Sequence, residues 1–88
     1  MADDITFDQF LLSLATAAMM HLGVVEHPEA SEKKVDLVQA KQTIDILGML
    51  RDKTKGNLSA TEQQLLDTML AELRMRYVEA ARGPASPG

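Results

Sequence analysis

Apolar residues between positions 6 and 23 recur at helical spacing. Phe7, Phe10, Leu11, Leu14, Ala17, Ala18 and Leu22 fill one side of a 3.6-residue repeat, and Leu12, Ala15 and Met19 widen it. Only Gln9, Ser13 and Thr16 give this run a polar strip. A second run places Leu37, Ala40, Ile44 and Leu47 on one face, with Ile46, Met49 and Leu50 spreading beyond it. In a third run Leu66, Leu70, Leu73, Tyr77 and Ala80 are spaced 4, 3, 4, 3, the seam of packed helices, with Leu65 and Met69 beside it. Asp67, Arg74 and Glu79 fall away from that seam and are expected in water.

Each run opens on a cap pattern. Thr6-Phe7-Asp8-Gln9, Asp36-Leu37-Val38-Gln39 and Ser59-Ala60-Thr61-Glu62 all read as cap-x-x-Glu/Gln. The first oxygen can accept from the third helical N–H, and the third side chain can reach back to the cap's own N–H. Gly23 is the expected stop of the first helix, Gly56 of the second, and Gly83-Pro84 of the third. The pattern predicts three helices, over about 7–22, 37–54 and 60–82, in a single domain 1–82 followed by a disordered tail 83–88. The long connection, GVVEHPEASEKKVD at 23–36, reads as an exposed loop near the upper length for a structureless link.

The stretch RDKTKGNLSATEQQLL at 51–66 gathers cations, then Gly-Asn, then a full capping box. It reads as the corner between two helices. Lys53 and Lys55 sit where a helix C-terminus attracts positive charge, Gly56 supplies positive φ and Ser59 caps the third helix. A phosphate loop would want a preceding strand and several glycines.

At 88 residues the core is small, and the absence of cysteine removes disulfides and thiolate metal sites as staples. Good helices and oligomerisation must supply stability instead. A cysteine-free chain fits the cytoplasm. The opening MADDITFD carries three acids where a secretory signal needs cations, and Phe10–Val25 is too short and too polar to span a bilayer. A net charge of −4 disfavours nucleic acid as a partner.

Candidate chemistry is sparse. His21, on the apolar side of the first helix, and His27, in the loop, make a weak metal pair, and a histidine at the end of an apolar helix is more often bonded to a carbonyl. Arg74 and Arg76 lie about 200° apart around a helix. They form no common patch, and Arg76 can pair with Glu72. Six methionines are better explained as core filling than as an adaptable surface. No nucleophile-and-base motif, paired carboxylate or Gly-rich cradle is present, so neither an enzyme nor a cofactor is expected.

Several pieces form an ordered series: Phe7-x-x-Phe10, Ser13-Leu14-Ala15, His21-Leu22-Gly23, Asp36-Leu37, Ala40-Lys41-Gln42-Thr43-Ile44-Asp45, Lys53-Thr54-Lys55-Gly56-Asn57-Leu58 and Leu73-Arg74-x-x-Tyr77-Val78. Over about residues 5–79 this series resembles the family called domain of unknown function 1844. The resemblance implies a short, soluble, helical bacterial protein, and it brings no catalytic or ligand residue to carry over.

These readings converge on an all-α protein of three helices, with helices 2 and 3 as an antiparallel hairpin and the apolar helix 1 packed at an oligomer interface. The expected interface residues are Phe7, Phe10, Leu11, Leu14, Ala17, Ala18 and His21. The expected partner is a second copy, a dimer first, or another protein, in the role of adaptor, scaffold or regulatory subunit. The alternative is a peripheral protein laying helix 1 into a membrane surface. Against it, helix 1 lacks the Lys and Arg that such helices carry.

Overall fold

The structure, a computed structural model, describes residues 4–24 and 35–82. His27, most of the 23–36 connection and the tail 83–88 lie outside the described residues. Three α-helices account for most of the described residues: α1 (Phe7–His21), α2 (Leu37–Lys53) and α3 (Ala60–Ala81). Among the described residues there is no strand, and the fold is all-α.

The helix starts follow from the cap residues. Thr6 Oγ1 accepts from Gln9 N–H at 3.1 Å, and Thr6 N–H donates to Gln9 Oε1 at 2.9 Å. Ser59 and Glu62 repeat this exchange at 3.1 and 2.8 Å. The middle start is only half a box: Asp36 Oδ1 accepts from Gln39 N–H at 3.0 Å, and Gln39 makes no return bond among the described residues. Its hydroxyl-free, charged cap still places an anion at the positive end of α2.

The ends differ in kind. Leu22 is the C-cap of α1, and Gly23 beyond it turns to φ 77°. Gly23 N–H donates to Met20 O at 3.1 Å and Val24 N–H to Met19 O at 3.0 Å, the paired bonds of a Schellman motif. α2 ends at Lys53, with Thr54 as C-cap and its hydroxyl donating back to Leu50 O. Gly56 therefore stands two residues past the cap rather than next to it. It is the third residue of a turn closed by Asn57 N–H donating to Thr54 O at 2.9 Å, a place that needs its φ of 87°. With Ser59 occupied at the start of α3, residues 54–59 form a closed corner, and Lys53 and Lys55 point into water.

Each helix packs on the other two. Leu11, Leu47, Leu66, Leu70 and Leu73 are fully buried and come from all three. Ala18 and Ala40 are equally covered, and Leu22 and Ile44 complete the cluster. Tyr77, Ala80, Leu65 and Met69 pack on its margin, so the α3 seam points inward as its spacing requires. Thr43 is the one buried polar side chain of the described core; its hydroxyl donates to Gln39 O at 3.0 Å, which satisfies it locally. Between α2 and α3, Arg51 lies across from Asp67, and Gly48 lies against Arg74.

These contacts set an order of energies that urea melts can check. Leu70→Ala should cost about 2–5 kcal/mol, because the site is closed on all sides. Ser59→Ala should cost about 1 kcal/mol. At Gly56 an added Cβ meets no atom within 4 Å, so the loss expected for Gly56→Val comes chiefly from its positive φ, roughly 1–2 kcal/mol. Replacing Lys53 and Lys55 by Gln should cost only a fraction of a kcal/mol, since both are exposed. A nucleotide-dependent rise in Tm that vanished with the two lysines would show that the corner binds phosphate instead.

Candidate interaction surface

The seven α1 positions expected at an interface divide into two groups. Leu11 and Ala18 have no accessible surface left; α2 and α3 already cover them. Phe7, Leu14, Ala17 and His21 are half-buried, and Phe10 is 39% exposed. Phe10, Leu14, Ala17 and His21 follow one another at i, i+4, i+7 and i+11, so they form one flank of α1. Leu12, on the far edge, is 51% exposed. The physical reason is the width of the apolar arc: two neighbours cover its centre, and both edges remain.

The same happens on the other helices. Val38, Ile46 and Met49 are exposed on the outer side of α2, and Met75 and Val78 on α3. Of the three residues that spread beyond the α2 face in the sequence, Ile46 and Met49 are exposed, while Leu50 packs against the core.

Two shallow depressions lie between α2 and α3. One is lined by Arg51, Asp52, Lys55, Gln63 and Asp67. Here Arg51 Nη1 sits 3.7 Å from Asp67 Oδ1, and Gln63 Nε2 donates to the same oxygen at 3.1 Å. Of its two cations, Arg51 is turned to the Asp67 carboxylate and Lys55 is exposed to water.

The second depression is lined by Lys41, Ile44 and Asp45 from α2 and by Arg74, Tyr77 and Val78 from α3. Its floor is apolar and its rim is charged. Lys41 Nζ lies 2.7 Å from Asp45 Oδ2, and this hydrogen bond, helped by the carboxylate's charge, holds the Lys41 ammonium above its ordinary pKa. Both groups are well exposed, so the pair contributes little to stability. Arg74 has no ion-pair partner among the described residues; its guanidinium end rests against Gly48, where an added Cβ would stand 3.3 Å from Nη2. Arg76, by contrast, has Nε 2.7 Å from Glu72 Oε2, as its i−4 spacing suggests, an ion pair without the alignment of a hydrogen bond.

Sequence reasoning does not single out this groove. Lys41 and Asp45 carried a local signal, their i,i+4 spacing, but Arg74 and Val78 meet them only across the α2–α3 contact. Among the described residues no three His, Asp or Glu side chains group closely enough to hold a metal ion. No described helix is long and apolar enough to cross a membrane.

A family model described as Domain of unknown function (DUF1844) matches residues 4–79. No curated protein and no solved structure matches the chain. The matched span covers α1 and α2 entirely and α3 to within its last two residues. The chain therefore belongs to the DUF1844 family.

Proposed function

We propose that this chain acts through protein–protein contact, as a homo-oligomer whose smallest form is a dimer, without catalytic chemistry of its own. In that reading it is a cytoplasmic adaptor, scaffold or regulatory subunit. The observation that carries it is the apolar surface left over once the core is full. Phe10, Leu12, Val38, Ile46, Met49, Met75 and Val78 keep between 39% and 69% of their surface exposed. Single exposed apolar groups are ordinary, but here every helix carries at least two.

The reading treats α2 and α3 as an antiparallel hairpin. The pairing of Arg51 with Asp67 and of Gly48 with Arg74 supports it, since a later α2 position meets an earlier α3 one. Two surfaces can then receive a second copy: the α1 flank of Phe10, Leu14, Ala17 and His21, and the groove between α2 and α3. Insertion of α1 into a membrane surface is the weaker reading, because Leu11, Ala18 and Leu22, which insertion would use, are committed to the chain's own core.

Light scattering coupled to size exclusion tests the proposal. At tens of micromolar the mass should be that of two chains or more, and vesicle flotation should leave the protein in the soluble fraction. A single-chain mass throughout this range, or flotation with anionic vesicles, would overturn it.

A further inference from the structure

We draw no further inference here: the strongest candidate, the apolar-floored groove between α2 and α3 lined by Ile44, Tyr77 and Val78, carries nothing because its rim already holds the Lys41–Asp45 pair and the Arg74 guanidinium resting against Gly48, and nothing in the structure shows what covers it.

Discussion

Three helices share one cluster of leucines, and nothing else in the described chain could replace it. There is no cysteine to cross-link and no described metal cluster to clamp the helices. Burying a leucine side chain is worth about 1.5–3 kcal/mol, so two or three such residues match the net stability of a typical small domain. Leu11 comes from α1, Leu47 from α2, and Leu66, Leu70 and Leu73 from α3. No helix can leave without opening the cavity that the other two depend on. At 15 residues α1 sits at the length where an isolated helix is marginal in water, and most helical stability in folded chains comes from packing rather than propensity, so the order of the helices rests on this shared burial.

A core this narrow decides what the surface looks like. Each helix turns one stripe inward, and the apolar arc of α1 is wider than one stripe. The excess appears at Phe10 and Leu12, on opposite edges of the same helix. On α2 it appears at Val38, Ile46 and Met49. The polar contacts do little to offset this, since Lys41–Asp45, Arg51–Asp67 and Arg76–Glu72 all lie in partly or fully solvated positions. The apolar groups left in water thus have one cause: three helices are too few to enclose what they carry.

The helical plan was legible wherever its signal is local. The 4, 3, 4, 3 spacing marks Leu66, Leu70 and Leu73 as inward, and the Thr6 and Ser59 boxes mark two helix starts, because caps act over three residues. Positive φ at Gly23 and Gly56 follows from the same short range, although Gly56 serves the turn rather than the residue next to the cap. The inward role of Leu11 and Ala18 was not separable from that of Phe10 or Leu14. All four lie on one broad arc, and which part of it is covered depends on where α2 and α3 settle. The groove was less legible still, since Asp45 and Arg74 are 29 positions apart and join only through a helix–helix contact.

The backbone also joins α1 to α2 at a point the sequence does not advertise. Asp36 N–H donates to His21 O at 2.7 Å, one residue before α2 begins and at the last residue of α1. The same aspartate caps α2 through its side chain, so a single residue ties the end of one helix to the start of the next. The two helix ends are thereby pinned side by side whatever chain lies between them. Doubling the length of a connection between fixed ends costs only about 0.6 kcal/mol in closure entropy. Lengthening the chain between Val24 and Val35 should therefore leave the three-helix body unchanged.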